Sequence, residues 1–239
     1  MNPESPKERL ADGRRARAIA FYLPQFYPTP ENDEWWGPGF TEWTNVIRAV
    51  PQFDNHYQPR LPGELGFYDL RVPEVRSAQA DLARAHGIEA FCYWHYWFGD
   101  GRTMLDRPLR EVLSSGEPDF PFCVGWANHS WAGVWQGAPK RLLIEQTYPG
   151  PDDDRRHFND LVATFHDPRY IRVDDKPLLV VHRPEDIPDP QRWMERKTAI
   201  RQLTKLLPRS ISLAMAAQVD EAVGRDLQPK VIVQQLETS

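Results

Sequence analysis

Eight consecutive residues, Phe91-Cys92-Tyr93-Trp94-His95-Tyr96-Trp97-Phe98, carry six aromatic rings and one imidazole. Aromatic rings offer flat apolar faces, and an enclosed imidazole needs a hydrogen-bond partner and can bind a hydroxyl or a phosphate. The commonest ligand that combines a flat face with polar groups is a sugar, which makes Tyr93, Trp94 and His95 candidate substrate contacts. The run is expected to begin as a buried strand and to end as a loop. Alternation along the strand places Cys92 and Trp94 on one face and Tyr93 and His95 on the other.

The segment Trp126-Ala127-Asn128-His129-Ser130-Trp131 follows the same logic. Asn128 can donate to and accept from a hydroxyl, His129 adds an imidazole, and Trp131 offers an apolar face. Tyr22 and Gln25, at the end of the first expected strand, and Trp43, in the aromatic stretch from Trp35 to Trp43, complete the expected contacts. Glycoside chemistry further requires two carboxyl groups about 5–10 Å apart, one kept protonated by a raised pKa. Glu42 and Glu145, each in a loop after an expected strand, are the candidate catalytic residues.

Asp152-Asp153-Asp154 contains the Asp-x-Asp spacing that holds a divalent metal in many nucleotide-sugar transferases. It also follows Pro149-Gly150-Pro151 and stands where a helix start favours negative charge, which accounts for it without a metal. The sequence has no zinc-type pairing of histidines and no cysteine cluster, so neither a metal nor a cofactor is expected. Cys92 and Cys123 lie in apolar runs and read as buried, reduced thiols.

These residues need strands to carry them. Ala18 to Leu23 is an unbroken apolar run, the pattern of a strand buried on both faces in a parallel sheet. From Gln25 to about Arg71 no period is sustained, far beyond the ~2–6 residues usual between strand and helix. Pro73 opens a helix with Val75, Ala78, Leu82 and Ala85 on one face and Gly87 as its stop. Strands follow at Ile88 to Trp94, Phe122 to Trp126, Pro177 to His182 and Ile211 to Ala216, with a sixth beginning at Val231. Helices are expected near Pro108 to Ser114, from Asp152 through Phe165, and near Arg192 to Leu207.

This alternation predicts an α/β protein with a parallel sheet, either doubly wound or a (β/α)8 TIM-type barrel. Leu23-Pro24-Gln25-Phe26-Tyr27 lacks the Gly-rich phosphate turn of a doubly wound nucleotide binder, and successive strands end in polar or aromatic groups. The expectation is therefore an incomplete barrel with five or six strands present. Residues 1–16 are expected to be a disordered tail, and 17–239 a partial barrel domain.

The 239 residues, 41% hydrophobic, allow a sizeable core, and the net charge of −5 with scattered Lys and Arg argues against nucleic acid as a partner. No apolar run approaches the ~20 residues of a spanning helix and no export signal is visible, which places the expected location in the cytoplasm. The 9 Trp and 23 Pro cluster between the strand-like segments, as in long, ligand-facing loops.

Several stretches, in order from about Arg17 to about Arg183, resemble the WbsX-type glycosyltransferase family, also described as glycoside hydrolase family 99-like. They are Phe21-Tyr22-Leu23-Pro24-Gln25-Phe26, Glu31-Asn32-Asp33-Glu34-Trp35-Trp36-Gly37, Gly39 to Val46, His56-Tyr57-Gln58-Pro59, Leu65 to Leu70, Tyr93 to Phe98 and Asp167-Pro168-Arg169-Tyr170-Ile171. The resemblance implies a (β/α)8 barrel acting on glycans, usually from bacterial surface-polysaccharide (O-antigen type) gene clusters, related in fold to endo-acting α-mannosidases.

Two departures qualify what is carried over. Many members have Asn-Glu-Asn-Trp where this chain has Asn128-His129-Ser130-Trp131, so His129 replaces a carboxylate. The late Asn-Glu-Trp-x-x-Glu-like segment that holds the acid/base pair of the hydrolase-like relatives does not occur, and Glu42-Trp43 belongs to the first loop. The expected function is glycosyl transfer or glycoside hydrolysis on a glycan or oligosaccharide, with the catalytic C-terminal segment missing and this chain alone inactive. The alternative is a non-catalytic glycan-binding or scaffold protein.

Overall fold

The structure, a computed structural model, describes residues 17–133, 138–173, 175–191, 193 and 212–215, with 138, 139 and 212–215 as backbone alone. Strand β1 (Ile19–Tyr22) is the first apolar run. The long segment after it holds two short helices that its mixed composition hides. Helix α1 (Pro30–Trp36) starts at Thr29, whose hydroxyl accepts from the Asn32 N–H at 3.2 Å, with Pro30 in the first turn. Helix α2 (Glu42–Arg48) follows.

Helix α3 (Pro73–Ala85) starts at the expected proline but turns a different face inward. Ala78 and Ala85 are exposed, whereas Arg76, Gln79 and Ala80 are buried. The polar pair is tolerated because each finds a partner: Arg76 pairs with Glu111 at 2.8 Å, and the Gln79 carbonyl accepts from the Tyr22 hydroxyl at 2.6 Å.

Strand β2 (Ala90–Trp97) runs three residues past the expected end, so the aromatic run is strand almost to its last ring. Strand β3 (Thr103–Met104) folds back antiparallel on Tyr96 and Trp97 and supplies the backbone partners for that extension. Helix α4 (Arg107–Ser115) stops at Gly116, whose left-handed φ of 75° favours glycine. Strand β4 (Phe122–Trp126) is as expected, and an unexpected hairpin, β5 (Trp131–Gly133) with β6 (Ala138–Ile144), follows it. Helix α5 (Pro151–His166) opens with Asp152, Asp153 and Asp154 in its first turn, as expected of a helix start. Strands β7 (Arg172–Val173) and β8 (Lys176–Val181), a 3₁₀ turn at Pro184–Asp186 and β9 (Ser212–Met215) complete the elements.

Strands β1, β2, β4, β8 and β9 lie side by side in that order, each parallel to the next, within a seven-stranded sheet. The architecture is thus α/β with a parallel sheet. The expected tail over 1–16, the sixth strand from Val231 and, apart from Trp193, the helix from Arg192 lie outside the described residues.

The segment Asp167 to Ile171 ties this sheet to its helices. Arg169 pairs with Asp167 at 2.6 Å and donates to the carbonyls of Val112 and Pro118, while the Tyr170 hydroxyl donates to the Leu178 carbonyl at 2.6 Å. From α5, Phe158, Leu161 and Phe165 are fully enclosed, each worth about 1.5–3 kcal/mol of burial.

The inward face of α3 gives a direct test. Ala80→Glu should lower the unfolding free energy by about 2–4 kcal/mol in urea titration, and Ala78→Glu should change it by less than about 0.5 kcal/mol. Equal costs at the two positions would contradict this packing.

Candidate functional site at the strand ends

Alternation along β2 sorts its rings between two environments. Tyr93, His95 and Trp97 point to the helix side. The Tyr22 hydroxyl is bonded to Gln79 of α3, and the Tyr22 and Tyr93 rings meet at 4.4 Å. His95 Nε2 lies 3.0 Å from His157 Nε2 of α5, and the Trp97 N–H donates to Asp153 Oδ2 at 3.0 Å. Tyr22, Tyr93 and His95, expected at a ligand-facing rim, are all buried with these partners on the helix side. They bind the sheet to its helix layer.

The other face carries Trp94 and Tyr96. Trp94 is partly exposed, stacks on Phe21 with centroids 4.6 Å apart and planes at 4°, and meets His182 edge-on at 5.5 Å. Gly125, its register partner on β4, makes room for it: a Cβ there would lie 3.1 Å from the indole. Two residues further on, the Tyr96 hydroxyl accepts from Gln25 Nε2 at 3.3 Å, and its ring meets Trp131 at 4.9 Å. Burial pushes the Tyr96 phenol well above its ordinary range; the Gln25 bond opposes this and the charge of nearby Glu42 adds to it.

Glu42, in the first turn of α2, is the perturbed carboxyl of this rim. Burial raises its pKa, opposed by a hydrogen bond from Asn45. Glu145 is exposed and follows Ile144, the hairpin partner of Trp131, and its carbonyl accepts from Arg102 at 3.1 Å. Trp131 is therefore shared: it touches Tyr96 on the Glu42 side and pairs with the strand leading to Glu145. Trp43 staples the first loop, its N–H donating to the Tyr68 carbonyl at 2.8 Å and its ring packed between Phe26 and Phe67.

Asn128 has no exposed surface. Its amide donates to Tyr148 Oη at 3.0 Å and to the Arg183 carbonyl at 2.6 Å, and its carbonyl accepts from the Arg183 N–H at 2.8 Å. Both of its amide hydrogens are used, so Asn128 clamps the loops after β4, β6 and β8.

The clamp holds His129 beside His182, with ring centroids 5.2 Å apart. Burial, then His182 and then Arg183, lower the His129 pKa from 6.5 to about 4, against an opposing Asp186. Burial and then Arg183 lower His182 as well, opposed by Glu185 and Asp186. Phe21, Tyr96 and Asn45 were not among the expected contacts, whereas His182 is marked in the sequence as the polar end of its strand. Strand parity places Tyr96 on the face of Trp94; nothing in the local spacing marks Phe21 or Asn45.

The fold is thus a parallel α/β sheet with aromatic rings, imidazoles and a desolvated carboxyl near its strand ends. The chain belongs to the WbsX glycosyltransferase family: the family described as Glycosyltransferase WbsX matches residues 18–231.

Similar curated proteins are the uncharacterized protein WxcX of Xanthomonas campestris pv. campestris strain B100 and its counterpart in strain ATCC 33913, each 49% identical over 175 residues. That match covers 73% of this chain, and the chain spans about a quarter (25%) of the relatives' length. Among solved structures, a GH99 endo-α-mannosidase from Bacteroides thetaiotaomicron in complex with BIS-TRIS-propane is 16% identical with a TM-score of 0.42, covering 71% of this chain and 42% of that one. A glycoside hydrolase-like protein is 13% identical with a TM-score of 0.47, covering 83% and 50%. No helix among the described residues is long and apolar enough to cross a membrane.

The depressed His129 pKa fixes the sign of a pH effect. Between about pH 6.5 and about pH 4 an unfolded chain carries a proton here that the folded chain refuses, so stability is fully present above that window and lost as pH falls through it. The melting temperature should fall more for the native sequence than for His129→Gln between about pH 7 and about pH 4.5. Parallel curves would contradict the assignment.

Proposed function

We propose that this is a carbohydrate-active protein of bacterial surface-polysaccharide metabolism, built on a (β/α)8-type barrel, that transfers glycosyl units at the rim formed by Gln25, Glu42, Tyr96 and Trp131. The observation that carries the reading is the environment of Glu42. A carboxyl desolvated enough to have a raised pKa, near a phenol, has the properties of a general acid that protonates a departing glycosidic oxygen. Glu145 is the proposed second carboxyl, exposed and reached from the other side of Trp131. Gln25 and Asn45 hold the hydrogen bonds that orient the phenol and the acid. The membership of the family described as Glycosyltransferase WbsX supports transfer as the reaction, and the proposed location is the cytoplasm.

In the full-length protein, Glu42→Gln should lower turnover of a glycosyl donor by about 10²–10⁴-fold while leaving glycan affinity within about twofold. The pH–rate profile should lose its alkaline limb at the same time. Glycan binding without turnover in the unmodified protein would replace this reading with a non-catalytic glycan-binding role. Full turnover by the Gln variant would remove Glu42 from the chemistry.

A further inference from the structure

His129 and His182 stand just past the ends of neighbouring strands β4 and β8, on the side of the sheet that carries Trp94 and Phe21. Phe21 is half exposed, at 51%, and Trp94, His129 and His182 are each partly exposed. These four side chains form a continuous strip of ring contacts, Phe21 to Trp94 to His182 to His129. The proposed general acid is not part of that strip; the two are joined through β2, where Trp94 and Tyr96 share a face.

The chemistry of the pair can be read further. His129 Nδ1 is enclosed and has no hydrogen-bond partner. A buried N–H without an acceptor is rarer than a buried lone pair without a donor, which assigns the lone pair to Nδ1 and the proton to Nε2. With its acceptor nitrogen enclosed, the neutral His129 ring presents a ligand with the Nε2 N–H, a donor suited to a hydroxyl oxygen. The charges around the two rings are the Arg183 guanidinium and the carboxylates of Glu185 and Asp186 from the 3₁₀ turn. Two carboxylates against one guanidinium give no net attraction for a phosphate or a carboxylated sugar. The Asn128 clamp fixes both loops, so the rings are pre-positioned and little ordering is required on binding.

We propose that His129, His182 and the Phe21–Trp94 pair form a distinct subsite for a neutral hexopyranosyl unit, the imidazoles taking adjacent hydroxyls and the rings taking the apolar face of the sugar. This deepens, and rests on, the reading of the rim as a glycan site.

The test is a titration of the ¹⁵N-histidine-labelled chain with methyl α-hexopyranosides of the gluco, manno and galacto series and, separately, with inorganic phosphate. Imidazole signals are assigned through His129→Gln and His182→Gln, and the Glu42 carboxyl is followed by ¹³C. At least one hexopyranoside should move both imidazole signals saturably. Either Gln variant should weaken that binding by about five- to tenfold, with Glu42→Gln leaving the imidazole response in place. A hexopyranoside that moves the Glu42 carboxyl and leaves both imidazoles still would overturn the subsite and keep the rim. A response to phosphate alone would overturn the neutral-sugar assignment, and silence at all three groups would end both readings. Where a Gln variant does not fold, the response of the native chain decides.

Discussion

The period-two alternation of β2 governs the whole arrangement. Five of its eight residues are aromatic and a sixth is a histidine, and a pleated strand must divide them between its faces. One half, Tyr93, His95 and Trp97, is consumed by α3 and α5 through stacking and buried hydrogen bonds. The other half, Trp94 and Tyr96, is left to the opposite side, where the sheet meets Phe21, Gln25 and the loops. A shift of one residue in register would exchange the two sets and bury the site. Gly125 favours the register locally, since a Cβ there would crowd the Trp94 ring over β4 at 3.1 Å.

Around this strand, buried polar groups act as joints. Asn128 closes three loops with three hydrogen bonds, Arg169 joins α4 to the segment before β8, and Arg76 links α3 to α4. Each is enclosed in the fold, where removing one partner leaves the other unsatisfied at a cost of about 1–3 kcal/mol. Such joints fix the loops and helices around the strand ends. The rim groups they hold, Glu42 and the His129–His182 pair, are partly desolvated, and their pKa values shift for that reason first.

Much of the scaffold was legible in the sequence. Apolar runs such as Phe122 to Trp126 can only be buried strands, and prolines and glycines mark the ends of α3 and α4. The hairpin at Trp131–Ile144 and the two helices before Arg48 were not legible, because neither carries a sustained apolar period and both are defined by contacts made elsewhere. The α3 face was misread because an apolar-residue count cannot see that Arg76 and Gln79 have buried partners. For the site, residue types and parity were informative, but which of the two faces is covered by helices was not legible. Glu42, Gln25, Trp94, Trp131 and His129 are partly exposed, whereas Tyr22, Tyr93, His95 and Asn128 are buried among protein partners, and hydrogen-bonding side chains serve a ligand or an interior equally well.

The central claim is that the Trp94 face of β2, not the Tyr93 face, meets the glycan. Hydroxyl-radical footprinting read by mass spectrometry, with and without an oligosaccharide from the host polysaccharide, tests it most directly. The account predicts that Phe21 and Trp94 are oxidised in the free protein and protected by the glycan, with Tyr93 and His95 unreactive in both states. Oxidation of Tyr93 or His95 that the glycan suppresses, with Trp94 untouched throughout, would contradict it.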